Sequence, residues 1–335
     1  MRKAALIMAG SVLFAAATLV NRRRRFPVVG KNVLITGGSR GLGLLLAKEF
    51  SRRGAHVAIC ARDADELERA RLILAQRGYQ VIPLVCDLNV QDEVQAVVRK
   101  VSSQLGSIDV LVNNAGTISV GPMSVMSLED YQESLDTHFW GPLYTTLAVL
   151  PEMRRRGQGR IVNISSIGGK ISVPHLLPYS AGKFALTGFS QGLRAEAIKQ
   201  NIYVTTVCPG LMRTGSPRNA KFKGNNRAEY AWFSISDALP LLSMSADRAA
   251  RRIVDACVRG TAELVLSVPA KLAVTLNALF PGLSADALAV VNRLLPSAQH
   301  ASTEAHLGKE SYSAISPSPI TVLNERAARR NNEVA

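Results

Sequence analysis

Short, nearly continuous runs of hydrophobic residues alternate along this chain with longer segments that mix hydrophobic and polar positions. The short runs are rich in Val, Ile and Leu, as strands covered on both faces of a sheet usually are. About 20 to 50 residues separate one run from the next, which leaves room for a crossover helix each time. The predicted strands are 32–36, 56–60, 80–86, 109–114, 160–165, 203–208 and 263–268. The pattern therefore predicts an α/β fold with a doubly wound parallel sheet.

One domain accounts for residues 26–300, a range in which we find neither an internal repeat nor a linker. The chain becomes polar from about residue 301 onward and closes with NERAARRNNEVA. Such a composition provides few apolar groups to bury. We therefore expect 301–335 to be a mobile tail that can include a short helix.

The segment 4–20 carries no charge and is flanked by basic residues, among them Arg22–Arg25. Its seventeen residues would form a helix of about 25 Å, slightly shorter than a hydrocarbon core. Ala15 and Ala17 resemble a signal-peptide cleavage site, and a buried helix is a third interpretation. The arginine cluster instead favours an uncleaved membrane anchor at 1–25, with the following domain facing the cytoplasm.

The net charge of +15 is compatible with binding to nucleic acid or to an anionic membrane surface. The sequence contains no zinc-finger pattern and no RNP-like stretch, which argues against nucleic-acid recognition. Part of the positive charge also flanks the apolar N-terminal segment. We therefore expect a membrane as partner, and no nucleic acid.

The four cysteines, Cys60, Cys86, Cys208 and Cys257, form no CxxC pair. The first three end predicted strands, where small apolar side chains are usually buried. We predict reduced core thiols and no metal site.

A glycine-rich turn, Thr36–Gly43 (TGGSRGLG), follows the first predicted strand and precedes a segment that favours a helix. Glycines allow a sharp turn and a close approach to phosphates, and the helix N-terminus offers unpaired N–H groups. The spacing is GxxxGxG and not the GxGxxG of the dinucleotide fingerprint. The candidate phosphate-binding residues are Gly37, Ser39, Arg40, Gly41, Leu42 and Gly43.

Further motifs follow in register: NNAG at Asn113–Gly116, a serine before Tyr179-x-x-x-Lys183, and Pro209-Gly210. Together with the glycine turn, they make residues 30–270 resemble the classical short-chain dehydrogenase/reductase family. The resemblance implies a single Rossmann-type domain with a mainly parallel seven-stranded sheet. It also implies nicotinamide-dependent interconversion of a carbonyl and an alcohol.

The resemblance also bears on the choice of cofactor. NAD-selective relatives carry an acid at the end of the second strand, where this chain has Ala61 followed by Arg62. Arg62 and Arg40 could pair with a 2′-phosphate, so NADP(H) is favoured over NAD(H). The family's remaining cofactor contacts fall on Asp87, Asn114, Ala115, Gly116, Tyr179, Lys183, Pro209, Gly210 and Thr214.

Tyr179 and Lys183 are four residues apart and therefore share one face of a helix. A nearby ammonium, with an oxidised nicotinamide, favours the phenolate and lowers a tyrosine pKa that is ordinarily near 10. Tyr179 is thus the candidate general acid and base. Ser166 occupies the position of the family's substrate-orienting serine.

One catalytic position departs from the family. His138 stands where an asparagine usually completes the catalytic tetrad through a bound water. An imidazole can relay protons near neutral pH. His138 therefore either replaces the asparagine in the relay or fills its space with reduced activity.

The stretch 215–243, with Trp232 and Phe233, corresponds to the family's variable substrate loop, and 271–296 is markedly apolar. With a membrane anchor, these features favour a hydrophobic substrate such as a lipid, steroid or retinoid derivative. The alternative is a catalytically weak NADP(H)-binding sensor of the same fold. A homo-oligomer is the family's usual state.

Overall fold

A computed structural model describes residues 25–239, 243–297, 302–313, 316, 318 and 321–334. Its strands are β1 (Asn32–Thr36), β2 (His56–Ala61), β3 (Val81–Val85), β4 (Val110–Asn113), β5 (Ser119–Val120), β6 (Gly159–Ile164), β7 (Ile202–Cys208), β8 (Met212–Arg213), β9 (Lys221–Gly224), β10 (Met244–Ser245), β11 (Glu263–Val265) and β12 (Ser302–Leu307). Its helices are α1 (Gly41–Arg52), α2 (Ala64–Ala75), α3 (Gln91–Leu105), α4 (Leu128–Leu135), α5 (Gly141–Arg156), α6 (Leu177–Ala197), α7 (Asn226–Ala238), α8 (Ala246–Arg259), α9 (Val268–Leu279), α10 (Pro281–Asn292) and α11 (Val322–Arg330).

The main sheet has seven strands in the order β11-β7-β6-β4-β1-β2-β3, and every neighbouring pair is parallel. Each strand predicted from the sequence is present, although β11 is shorter than expected. The chain leaves β1 toward β2 and β3 and later returns to the other side at β4. Ligands of such sheets bind at the carboxyl ends of the strands, where the order reverses. The predicted α/β Rossmann-type fold is confirmed.

The core consists of two apolar layers, one on each face of the sheet. Along β1, Val33 and Ile35 pack with α1 and α8, whereas Leu34 packs against α3 and α5 on the opposite face. This alternation follows from the two-residue period of a strand. Strands covered on both faces must be apolar throughout, which explains the continuous runs. All four cysteines are free and buried, as predicted.

A small sheet of three strands lies beside the main sheet, where β9 pairs parallel with β5 and antiparallel with β12. Both β12 and α11 belong to the segment that we expected to be a mobile tail. A short helix such as α11 was allowed by that expectation, whereas the strand β12 was not expected. Polar side chains contribute to the packing, because Asn324 donates to the carbonyl of Ser234 (3.2 Å). Composition alone does not reveal such hydrogen bonds.

Helices α9 and α10 form a hairpin whose apolar side chains are largely exposed. Leu283 is 70% exposed, and Leu294, just after the hairpin, is 81% exposed. Within the described ranges, none of the helices has the length and hydrophobicity needed to cross a membrane. The predicted anchor lies almost wholly in residues 1–24, outside the described residues.

Candidate active site

The glycine turn joins the carboxyl end of β1 to the start of α1, at the reversal of strand order. Thr36 Oγ1 accepts hydrogen bonds from the N–H groups of Asn114 (3.0 Å) and Ala115 (3.2 Å). The Asn114 side chain donates to the carbonyls of Thr36 (3.1 Å) and Gly37 (3.0 Å). The NNAG motif therefore fixes the turn against the end of β4.

Close packing explains why glycines stand in this turn. A Cβ atom on Gly37 would lie 2.7 Å from the Cα of Ala115, and Gly37 also has a positive φ of 61°. A Cβ on Gly43 would lie 2.6 Å from the Asn114 amide nitrogen. Glycine at these two positions therefore lets the turn pack directly against the NNAG motif, where any side chain would clash.

Arg40, one of the two predicted 2′-phosphate ligands, is paired with a carboxylate. Its Nη1 lies 2.6 Å from Glu66 Oε1, and Ser39 Oγ donates to Glu66 Oε2 (3.0 Å). The second candidate, Arg62, is exposed. The sequence reasoning considered an acid only at Ala61 and so missed Glu66. The signal was available as Asp63-x-x-Glu66, a helix N-terminal pattern in which Asp63 accepts from the Glu66 N–H (2.8 Å).

Three predicted catalytic residues lie together at the carboxyl edge of the sheet. Tyr179 and Lys183 occupy successive turns of α6, and Lys183 Nζ is 5.7 Å from the centre of the Tyr179 ring. Lys183 Nζ donates to the carbonyl of Ile164, the last residue of β6 (2.8 Å). The Ser166 hydroxyl accepts from the N–H of Gly168 (3.0 Å), and a Cβ on Gly168 would lie 3.0 Å from the Tyr179 ring and 3.5 Å from Ser166 Oγ, so the two side chains are neighbours.

Burial controls the protonation of this group. It raises the pKa of Tyr179 to about 12, although the hydrogen bond from Ser166 acts in the opposite direction. Burial also lowers the pKa of Lys183 to about 7. The chain's own groups therefore do not produce the lowering that we expected for Tyr179. The phenol is protonated at neutral pH and can donate a proton.

His138 lies in a π-helical turn, Asp136–Trp140, and both ring nitrogens have partners. Nε2 accepts from the N–H of Thr117 (3.2 Å). The Ser134 hydroxyl donates to the carbonyl of Pro178 (2.6 Å), so Nδ1–H of a neutral imidazole donates to Ser134 (3.2 Å). Burial, followed by the charge of Lys183, holds the pKa of His138 well below its usual value. These contacts favour the space-filling role.

Other predicted cofactor residues also follow the carboxyl ends of strands in the main sheet: Pro209 and Gly210 come after β7, and Asp87 comes after β3. The carbonyl of Pro209 accepts from the N–H of Ile167 (2.7 Å). A Cβ on Gly210 would lie 3.0 Å from Ser267 Oγ. Asp87 lies after β3, two strands from β1, where its carboxylate accepts from the N–H of Asn89 (3.0 Å). An adenine contact by Asp87 stays a prediction.

The predicted substrate loop, 215–243, contains α7 and β9, the central strand of the small sheet. Phe233 belongs to an apolar cluster with Phe222 and Tyr230, against which Tyr179 and Trp232 pack. Glu229, also on α7, lies 2.8 Å from His175 Nδ1 and accepts from Trp232 Nε1 (2.6 Å). The two predicted aromatic residues are therefore part of the packing of this loop.

Asp237 is a second acidic residue that sequence reasoning missed. It is buried on α7, and its carboxyl group accepts from the N–H of Met212 (3.0 Å). Burial raises the pKa of Asp237 to about 7. The negative charge of Asp237 in turn contributes to the raised pKa of Tyr179. Asp237 belongs to no sequence motif. Only the packing of α7 places it near Tyr179.

Comparison with known proteins agrees with this geometry. A family model described as short chain dehydrogenase matches residues 31–223. A Drosophila melanogaster protein named dehydrogenase/reductase SDR family protein 7-like is 33% identical over 82% of this chain and 87% of its own. Dehydrogenase/reductase SDR family member 7B of Mus musculus is 34% identical over 75% of this chain and 78% of its own.

Two solved structures are similar over most of the chain. A gluconate 5-dehydrogenase from Burkholderia cenocepacia, in complex with NADP and tartrate, gives a TM-score of 0.65 at 25% identity. It covers 74% of this chain and 97% of its own. Actinorhodin polyketide ketoreductase with NADPH gives a TM-score of 0.64 at 29% identity, covering 70% and 95%.

Proposed function

Because the chain belongs to the short-chain dehydrogenase/reductase family, we propose that it is an NADP(H)-dependent enzyme that interconverts a hydrophobic carbonyl compound and its alcohol. The observation that carries the proposal is the convergence of Ser166, Tyr179 and Lys183. They lie at the same edge of the sheet as the glycine turn. Proton transfer and phosphate binding can therefore serve one crevice.

Tyr179 is the general acid in the direction of reduction. Its phenol is protonated at neutral pH, with a pKa of about 12, and its ring lies beside Ser166 at Gly168. The Ser166 hydroxyl orients the substrate oxygen beside this phenol, which then donates its proton to that oxygen. A bound reduced nicotinamide supplies the hydride. Lys183 has a pKa of about 7, so its amino group can gain or lose a proton near neutral pH.

Two arginines support NADP(H) as the cofactor. Arg40 lies in the glycine turn, Arg62 follows β2, and Ala61 leaves the end of that strand without an acid. The similar gluconate 5-dehydrogenase and polyketide ketoreductase structures contain NADP and NADPH. Glu66 acts against this preference, because its carboxylate neutralises Arg40.

The surroundings of Tyr179 support a hydrophobic substrate. The tyrosine packs against a cluster that contains Leu176, Phe222, Tyr230 and Phe233. These side chains are buried against one another and give Tyr179 an apolar environment.

We also propose that residues 1–25 anchor the enzyme in a membrane, with its domain on the cytoplasmic side. The uncharged segment 4–20 and the cluster Arg22–Arg25 support this orientation. The exposed apolar residues Leu147 on α5 and Phe184 on α6 are compatible with a homo-oligomer. Protease protection of the domain in sealed microsomes would contradict the orientation, and an N-terminus cleaved near Ala17 would support a signal peptide.

The decisive test is Tyr179→Phe in the full chain, purified in detergent. Oxidation of NADPH with a panel of apolar ketones and aldehydes should fall at least about a hundredfold, since general acid catalysis contributes this much. NADPH binding, followed by fluorescence, should be retained, because the phenylalanine keeps the ring.

Tyr144→Phe is the matched control, since Tyr144 lies on α5 beside Trp140 and outside the catalytic group. It should leave turnover unchanged. Equal turnover in Tyr179→Phe and wild type would contradict the assignment of the acid. NADPH binding without any turnover on the panel would favour the sensor.

A further inference from the structure

Helix α11 and the residues that follow it lie across the crevice in which the cofactor is expected. Ala328 of α11 packs against Gly215, where a Cβ atom would lie 2.6 Å from that of Ala328. The side chain of Asn331 donates to the carbonyl of Thr214 (2.9 Å). These contacts hold residues 331–334, which we call the plug segment, over the loop that follows β7.

The plug segment also contacts the glycine turn. The N–H of Gly41, the first amide of α1, donates to the carbonyl of Asn331 (2.9 Å). The Asn332 side chain donates to the carbonyls of Ser39 (2.9 Å) and Glu66 (3.1 Å). The segment therefore uses a helix N-terminal amide that would otherwise be available to a phosphate.

Glu333 places an acidic group at this helix N-terminus. One carboxyl oxygen lies 3.5 Å from Arg40 Nε and accepts from the Asn219 amide (2.6 Å). The other oxygen lies so close to Gly41 that a Cβ there would be only 2.6 Å away. The Glu333 side chain is buried. A carboxyl group beside a helix N-terminus and an arginine occupies the kind of position that a phosphate prefers.

We propose that the plug segment is an intramolecular competitor of the nicotinamide dinucleotide, which must displace it from the glycine turn in order to bind. This inference rests on the proposed function, since it takes NADP(H) as the ligand of the turn. The segment and a phosphate cannot both accept from Gly41 N–H or both lie beside Gly41. The crevice therefore has a closed state, which the structure describes, and an open state that binds the cofactor.

Such an equilibrium has a measurable consequence. When only the open state binds, the apparent Kd equals the intrinsic Kd divided by the open fraction. A segment that is closed about nine-tenths of the time would therefore raise the apparent Kd about tenfold. The contacts of Asn331, Asn332 and Glu333 with the turn favour the closed state.

The experiment is a fluorescence titration of NADPH into the full chain and into a variant that ends at Arg330. This variant keeps α11 but lacks the plug segment, and it should bind NADPH about tenfold more tightly. Glu304→Gln is the matched control, because Glu304 is an exposed acid on β12, remote from the turn in the chain. It should leave the Kd unchanged.

Hydrogen exchange of the full chain supplies a second measurement. Saturating NADPH should increase amide exchange in α11 and the plug segment as they leave the crevice. An unchanged Kd in the shortened variant would overturn the inference and leave the proposed function intact. Weaker binding together with NADPH-induced protection would overturn it in favour of a lid that closes over the cofactor. No NADPH binding to either chain would overturn the proposed function and the inference together.

Discussion

At the scale of single residues, Arg40 illustrates how a motif position depends on its neighbours. The sequence places an arginine in the glycine turn, where it can pair with a 2′-phosphate. In the structure its guanidinium lies between the carboxyl groups of Glu66 (2.6 Å) and Glu333 (3.5 Å). The preference for NADPH therefore depends on these acids as well as on the arginine.

Glu66→Gln should increase the preference for NADPH over NADH. The change removes the charge that neutralises Arg40 and keeps an amide oxygen for Ser39. We expect the ratio of the two Kd values to shift by roughly fivefold, equivalent to about 1 kcal/mol for a partly exposed pair. Titration of both nucleotides checks this.

Glu68→Gln is the control, since Glu68 lies on the same helix and pairs with Arg71 away from the turn. It should leave the ratio unchanged. An unchanged ratio, or a shift toward NADH, in Glu66→Gln would contradict the argument that Glu66 neutralises Arg40.

His138 can be tested in a similar way. Because Nε2 accepts from Thr117, His138→Ala would leave that N–H without its partner and open a cavity, with a loss of about 1–3 kcal/mol in the free energy of unfolding. His138→Asn restores the family's usual residue, and we expect it to keep turnover within about threefold, because no step of general acid catalysis is removed. Chemical denaturation and a pH–rate profile check these expectations.

The hypothesis that His138 relays protons leads to the opposite expectation. In that case His138→Asn would remove an ionisation from the pH–rate profile. Turnover would also fall by much more than threefold while the free energy of unfolding stayed near that of wild type.

At the scale of elements, the turn between β1 and α1 combines backbone freedom with close packing. Gly43→Ala would place its Cβ against the Asn114 side chain and the backbone of Gly37. We expect a loss of roughly 1–3 kcal/mol in the free energy of unfolding, because the site has no room for a methyl group. NADPH affinity should fall as well, since the turn must shift.

Gly188→Ala supplies the contrast. Gly188 lies within α6, and nothing occupies the space that its Cβ would enter. Alanine there should raise the free energy of unfolding by about 0.5–1 kcal/mol through helix propensity alone. Thermal or chemical denaturation separates the two variants, and similar losses in both would contradict the packing argument.

The elements also differ in how far the sequence predicts them. The seven strands of the main sheet were predicted because each contains a short apolar run, and the inner strands β1, β4 and β6 are buried along their whole length. The π-helical turn at Asp136–Trp140 was not predicted, since its hydrogen-bond pattern leaves no periodic signature over five residues. β12 was missed because its residues, STEAHL, are polar and pair only at the edge of a small sheet.

At the scale of the whole molecule, the closed state of the plug segment should depend on pH. Burial is the largest cause and raises the pKa of Glu333 to about 7. Among its neighbours, Arg40, Asn219 and Arg218 act to lower this pKa, and Glu66 acts to raise it. The ordinary pKa of this group, expected in the open state, is 4.5. Between pH 4.5 and about 7, closure of the plug segment therefore takes up a proton on Glu333. The closed state is therefore fully favoured below about pH 4.5 and loses stability as the pH rises from there to about 7, above which its stability no longer changes.

We accordingly expect the Kd of the full chain, divided by that of the chain ending at Arg330, to fall as the pH rises from about 5 to about 7 and to level off above that. Taking the ratio removes the titration of the nucleotide's own phosphate. Glu333→Gln resembles the protonated acid and should keep a raised ratio of the two Kd values that no longer varies with pH. A pH-independent ratio for the unmodified chain would contradict the assignment.

The sequence by itself determined the sheet, the glycine turn and the group of Ser166, Tyr179 and Lys183. The sheet and the pair of Tyr179 and Lys183 follow from local rules, since hydrophobic runs define buried strands and a four-residue spacing places two side chains on one helix face. Ser166 was instead placed by the resemblance to the family. Only the tertiary structure decided that Glu66 pairs with Arg40, that His138 is held neutral and that Glu333 lies at the glycine turn. Those contacts join residues far apart in the chain, and the burial that alters their pKa values exists only after the elements have packed.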